Sequence, residues 1–212
     1  MPYSTYLFDL DGTLVDSVEL ILRSYRHTFR THRGAAPPDE LWLKGLGTPI
    51  WVQLRYWTED PTEIAAMVET YRVYNMTHHD ELVRPYEGIV GVVRELEHRG
   101  KRLGLVTSKV RSGALRGLQV SGLTDAFHVI VGADEVEHPK PHPEPVQLAL
   151  RRLGVESKDA VFIGDARYDI ESGRGAGVAT AAALWGPFGR AHLEDLEPDH
   201  WLEKPEDVLR LL

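Results

Sequence analysis

The sequence predicts an α/β fold: a Rossmann-like doubly wound parallel sheet with a small helical cap domain inserted after the first strand. Three observations carry that prediction. Short apolar runs alternate with helical periods through most of the chain. Several of those runs end in an acidic or hydroxyl residue. One stretch, residues 16–84, shows helical periods only.

The first run lies within YLFDLDGTLVDS. Its apolar residues at 6–10 fit a buried parallel strand, and Asp9 and Asp11 stand at its end. Runs at 103–107, 127–131 and 160–163 read the same way. A fifth strand is expected at 178–182 and a weaker sixth at 200–202. Between them, Ile89, Val92, Val93 and Leu96 share a helical face, with Gly100 as the stop. Val146, Ala149, Leu150 and Leu153 repeat the pattern before Gly154. Ligands of a doubly wound sheet bind at the carboxyl ends of its strands.

In the 16–84 stretch, Val18, Ile21, Leu22, Tyr25 and Phe29 lie on one helical face. Thr48-Pro49 is expected to start a helix carrying Ile50, Leu54 and Trp57. Asp60-Pro61-Thr62-Glu63 is an N-terminal cap with proline at the first helical position. It precedes Ile64, Met67, Val68, Tyr71 and Tyr74. The expected division is a core of residues 1–15 and 85–212 and a cap of residues 16–84.

The 212 residues suffice for a substantial core, and 42% apolar with 26% charged residues is ordinary for a globular protein. The net charge of −8 argues against nucleic acid as a partner, while leaving room for a locally positive anion pocket. No cysteine is present, which excludes disulfides, thiolate metal sites and cysteine nucleophiles. No basic segment followed by an apolar run opens the chain, and no stretch reaches membrane-span length. A cytoplasmic protein without membrane partners, monomeric or homodimeric, is expected.

The strand ends collect a chemical set. Asp9 and Asp11 follow the first strand; Thr107 and Ser108 follow the second. Lys140 stands in His138-Pro139-Lys140-Pro141, and Asp165 and Asp169 follow the strand at 160–163. Carboxylates at apolar strand ends lose water and repel one another. A Mg²⁺ ion held by Asp9 and Asp165 offsets both costs and polarises a phosphoryl group. A carboxylate beside it can attack phosphorus, and Asp11 can protonate the leaving group and then activate water. Thr107 and Lys140 suit the equatorial phosphoryl oxygens. Gly12 lets the chain turn close to the phosphate.

DLDGT at 9–13, VTSK at 106–109, Lys140 and GDARYD at 164–169 resemble, in order, the four motifs of the haloacid dehalogenase superfamily. The helical insertion is similar to the small cap of its phosphoglycolate phosphatase-like branch. The resemblance implies that Asp9 is the nucleophile and Asp11 the general acid/base. It implies metal binding by Asp9, Asp11 (through its backbone carbonyl), Asp165 and Asp169, the last directly or through water, and phosphate binding by Thr107, Ser108 and Lys140. HHDELV at 78–83, DEVEHPKPHPEP at 134–145 and GRAHLEDLEPD at 189–199 are similar to inorganic pyrophosphatases of that branch. His142 departs from the small or acidic residue usual at its position. The implied substrate is inorganic pyrophosphate, with 2-phosphoglycolate or another small phosphomonoester as the alternative. A sugar-phosphate mutase shares the core chemistry. A dehalogenase would not need Asp11 or the acidic pair at 165 and 169.

Other residues have plainer expectations. His78 and His79 lack a third ligand and belong on a helix surface. Arg23, Arg26, Arg55 and Arg72 could reach a second phosphate from the cap, but most are expected on solvated faces. Trp42, Trp51 and Trp57 belong to cap packing or the cap–core seam. Arg167 and Tyr168 either flank the substrate or face solvent. Lys44-Gly45-Leu46-Gly47 is not a nucleotide phosphate loop, since no Gly-Lys-Ser/Thr follows.

Overall fold

The computed structural model describes residues 3–212. Its centre is β1 (Thr5–Phe8), whose four residues are all buried. β1 pairs in parallel with β4 (Arg102–Val106) on one side and β6 (Ala160–Gly164) on the other. β5 (Val129–Val131) extends the sheet beyond β4; β7 (Ala179–Ala183) and β8 (His200–Leu202) extend it beyond β6. The order is β5-β4-β1-β6-β7-β8, parallel throughout.

Both faces of the sheet are covered, which explains the continuous apolar runs. Tyr6 and Phe8 face the layer of Val93, Leu105, Leu118 and Ile163. Leu7 faces the opposite layer, with Val106, Val146, Leu150 and Phe162. The helices of these layers are α5 (Ile89–His98) and α6 (Arg111–Val120), then α7 (Glu144–Leu153) and α8 (Arg167–Ala176). α6 and α8 have weak periodicity because each carries two glycines, at 113 and 117 and at 173 and 175. Packing demands two of them. A Cβ on Gly117 would lie 2.9 Å from Leu10, and one on Gly173 2.9 Å from Thr180.

The insertion after β1 is helical, as expected. α1 (Val18–Arg33) and α4 (Pro61–Leu82) are its long members; α2 (Asp39–Leu43) and α3 (Ile50–Leu54) are single short turns between them. Asp60 caps α4 by accepting a hydrogen bond from Thr62 N at 2.8 Å. Ile21, Tyr25, Phe29, Trp42, Leu54 and Met67 form a core separate from those of the sheet. Trp42 stacks on Tyr25 at 4.1 Å and on Trp57 at 5.2 Å, so two of the three tryptophans are cap packing. The two chain crossings between insertion and core run side by side. β2 (Val15–Asp16) and β3 (Arg84–Pro85) form a short antiparallel ribbon.

Strand ends differ from the expected ones by one or two residues. β1 stops at Phe8 because the chain then turns on Leu10, whose carbonyl accepts from Thr13, Leu14 and Val15. Asp9 still donates its N–H to Ile163 O, so it remains in register with β6. No described helix is long and apolar enough to cross a membrane.

Candidate active site

Register brings Asp9 and Asp165 together. Phe8 and Ile163 are partners across β1 and β6, so the residues following each strand emerge side by side. Asp169 joins them from the first turn of α8, where its Oδ2 accepts from Ala166 N at 3.0 Å. Lys140 enters from the loop before α7. Its Nζ donates to Asp9 Oδ1 at 2.8 Å and to Asp169 Oδ1 at 2.5 Å. All four side chains are at most 3% exposed.

Three carboxylates and one ammonium leave this cluster with an excess of negative charge. Burial pushes Asp9 up to about 7; Lys140 pulls it back, while Asp169 and Asp11 add repulsion. Burial also pushes Asp165 well above the usual carboxylate range, with Asp169 and Asp9 adding to the effect and Thr13 opposing it. Burial would lower Lys140, but attraction from Asp169 and Asp9 outweighs that and holds it protonated. One oxygen from each of Asp9, Asp165 and Asp169 lies within 4.8 Å of the others. Hard oxygen donors with uncompensated buried charge fit a divalent cation.

The loop after β1 leaves no spare room at Asp165. Gly12 has φ +85°, and a Cβ there would stand 2.3 Å from Asp165 Oδ2. Thr13 Oγ1 donates to Asp165 Oδ1 at 2.9 Å, and Trp185 Nε1 holds Thr13 O at 2.9 Å. Asp11 sits on the other side of the loop. Its Oδ1 accepts from Ser17 Oγ and, at 2.7 Å, from Lys109 Nζ.

The family model for haloacid dehalogenase-like hydrolases matches residues 6–183. The chain is 42% identical to pyrophosphatase PpaX of Bacillus cereus (strain G9842), over all of this chain and 97% of that protein. It is 38% identical to pyrophosphatase PpaX of Halalkalibacterium halodurans, over all of this chain and 98% of that protein. The chain belongs to the haloacid dehalogenase-like hydrolase family. Solved structures share the fold. A haloacid dehalogenase-like family hydrolase from Streptococcus pneumoniae superposes with a TM-score of 0.84 at 27% identity, covering 98% of this chain and 97% of that one. A predicted phosphoglycolate phosphatase from Haemophilus somnus superposes with a TM-score of 0.87 at 21% identity, covering 99% and 97%.

In this hydrolase a cavity of about 260 Å³ opens above Asp9 and Asp11, between the sheet and the helical insertion. Thr107, Ser108 and Lys109 line its core side; Ile50, Trp51, Tyr71, Arg72 and Asn75 are among the residues on the other. Thr107 is buried at the end of β4, with its N–H on Val131 O and its Oγ1 accepting from Lys109 N. Ser108 spends its hydroxyl on Gly47 O at 2.5 Å, across the seam to the insertion. Asp11 does not join the carboxylate trio through its side chain.

Sequence reasoning missed several participants. Lys109 was legible only as part of VTSK; its contact to Asp11 spans ninety-eight positions of sequence. Of the four cap arginines, expected mostly on solvated faces rather than at a second phosphate, Arg72 is half-buried and lines the cavity without an ion-pair partner among the described residues. His79, expected on a helix surface, is 1% exposed and meets Asp80 Oδ1 at 3.1 Å. Its burial does not show in the sequence because α4 buries the polar Asn75 and His79 beside Met67 and Val68 and leaves Val73 and Met76 exposed, so polarity does not mark the buried face. Of the open pair, Arg167 turns to Asp195 and Glu171, and Tyr168 donates to Lys44 O at 3.2 Å.

Proposed function

We propose that this hydrolase cleaves inorganic pyrophosphate through an aspartyl-phosphate intermediate, with Mg²⁺ as its metal. The observation that carries the reaction class is the buried trio of Asp9, Asp165 and Asp169 bridged by Lys140 at the floor of the cavity between sheet and insertion. Full-length identity to pyrophosphatases PpaX supports the substrate, as do the two cations of the cavity, Arg72 and Lys109.

Lys140 holds Asp9 Oδ1 and leaves Oδ2 as the nucleophilic oxygen. Asp9 attacks one phosphorus, the bridging P–O bond breaks, and the departing phosphate takes the proton of Asp11. Ser17 and Lys109 hold Asp11 by its Oδ1, which orients the other oxygen for that transfer. Water then loses a proton to Asp11 and attacks the phosphoaspartate, releasing phosphate and restoring Asp9. The Thr107 hydroxyl and the Ser108 N–H bind the transferred group together with Lys140, and the Ser108 hydroxyl fixes the turn to Gly47. Asp9, Asp165 and Asp169, with the Asp11 carbonyl, would hold Mg²⁺, which would supply Lewis-acid polarisation and charge neutralisation. Arg72 and Lys109 face the second phosphate. Residues 16–84 act as a cap that moves on the β2–β3 ribbon and excludes water during phosphorylation.

Phosphate release under Mg²⁺ tests the reading, with pyrophosphate compared against 2-phosphoglycolate and sugar and nucleotide monophosphates. The expected result is the highest kcat/KM for pyrophosphate and no turnover by Asp9→Asn or in EDTA. Arg72→Gln is expected to raise KM for pyrophosphate about tenfold or more while leaving a small aryl phosphate little changed. Preference for a phosphomonoester would move the substrate to that class and keep the mechanism. Turnover by Asp9→Asn would remove both.

A further inference from the structure

The geometry points to a second metal site, formed by His138, His142 and Glu144 on the outer side of the loop that carries Lys140, and suited to a borderline divalent cation such as Zn²⁺ or Co²⁺. It stands independently of the substrate reading above. In the run His138-Pro139-Lys140-Pro141-His142-Pro143-Glu144, three prolines alternate with the chemical residues. Lys140 points inward and is buried, whereas the two histidines on either side of it are exposed. The imidazole rings lie 4.8 Å apart between centroids, and one ligand atom from each of the three residues lies within 4.8 Å of the others.

The frame is already built. Proline at every second position restricts the backbone, so little chain entropy is left to lose on binding. Ser172, itself buried, donates to His142 O at 2.8 Å and ties the loop to α8. Glu144 accepts from Glu137 N at 3.1 Å and His138 N at 3.0 Å, which orients its carboxylate. His138 Nδ1 meets Glu144 Oε2 at 3.1 Å. The proton between these two atoms occupies the place a cation would take. His142 supplies the third donor nitrogen; its ring now accepts from Glu144 N at Nδ1 at 3.2 Å, a weak bond that is given up when the imidazole turns to the cation. Metal bonds of about 2.0–2.2 Å need the donors to close by roughly an ångström, which exposed imidazoles reach by side-chain rotation. Binding releases the shared proton, and waters fill the remaining positions. Two imidazoles select against Mg²⁺, so this site and the carboxylate trio would hold different ions.

The test is calorimetric titration of the full chain with ZnCl₂, and separately CoCl₂, in millimolar Mg²⁺. One saturable site per chain is expected, retained in Asp165→Asn. His142→Asn and His138→Gln are each expected to weaken it at least tenfold, with Mg²⁺-dependent turnover unchanged. Occupancy is also expected to raise the melting temperature of the wild type and not of His142→Asn. The proposal is overturned by the absence of saturable binding in Mg²⁺, by equal affinity in both histidine variants, or by binding that disappears in Asp165→Asn but persists in His142→Asn.

Discussion

Replacing Lys140 with methionine keeps an unbranched side chain, one atom shorter, and removes its charge. In the wild type its Nζ makes two charge-assisted bonds, 2.8 Å to Asp9 and 2.5 Å to Asp169, in a fully buried setting. Charge-assisted bonds are worth about 1.5–3 kcal/mol each, and removing one partner of a buried ion pair costs about 3–5 kcal/mol. For a chain of this size that corresponds to a fall in Tm of roughly 6–20 °C. The cost arises because Asp9, Asp165 and Asp169 then face one another with no cation between them. Mg²⁺ is therefore expected to recover part of the loss. Urea unfolding followed by circular dichroism, in EDTA and in Mg²⁺, measures both quantities. A loss below about 1 kcal/mol in EDTA, the range of an exposed pair, would refute the buried-charge reasoning. Equal losses in the two conditions would refute the link between Lys140 and a shared cation site.

Two further predictions concern residues around that cluster. Gly12→Ala forces a left-handed backbone onto alanine at a cost of about 1–2 kcal/mol and places a methyl 2.3 Å from Asp165 Oδ2. The variant is expected to fold, but to lose the Mg²⁺-induced rise in Tm; an unchanged rise would show that Asp165 does not hold the ion. His79 has a pKa lowered by burial, with Asp80 opposing and Lys109 assisting. The unfolded chain therefore binds a proton at His79 more readily than the folded one. Its contribution to stability is present above the unfolded value near 6.5 and is lost as pH falls through the folded one. His79→Gln is expected to flatten the stability profile across that window, measured as wild type minus variant; parallel profiles would place His79 in an environment like that of the unfolded chain.

Much of the core was legible because parallel strands advertise themselves. A strand buried on both faces must be apolar, and a polar residue at its end stands out. That is why Asp9, Thr107 and Asp165 could be located from YLFDLD, LGLVTS and VFIGDA. Helices on one face of the sheet were equally readable where leucine and valine kept their period, as in α5 and α7. α6 and α8 were not, since their glycines exist to let the backbone approach Leu10 and Thr180, and a missing side chain leaves no periodic signal.

The sequence by itself determined the fold class, the order of the motifs and the residues at the strand ends. These depend on local apolar patterning, which each segment carries alone. Only the tertiary structure decided which charges meet. Lys140 reaches Asp9 across 131 positions and Lys109 reaches Asp11 across 98. It also decided that Arg72 lines the cavity and His79 is buried, because the surroundings of a helix face depend on what packs against it. Electrostatic and packing partners are chosen by distance in space, and distance along the chain does not encode them.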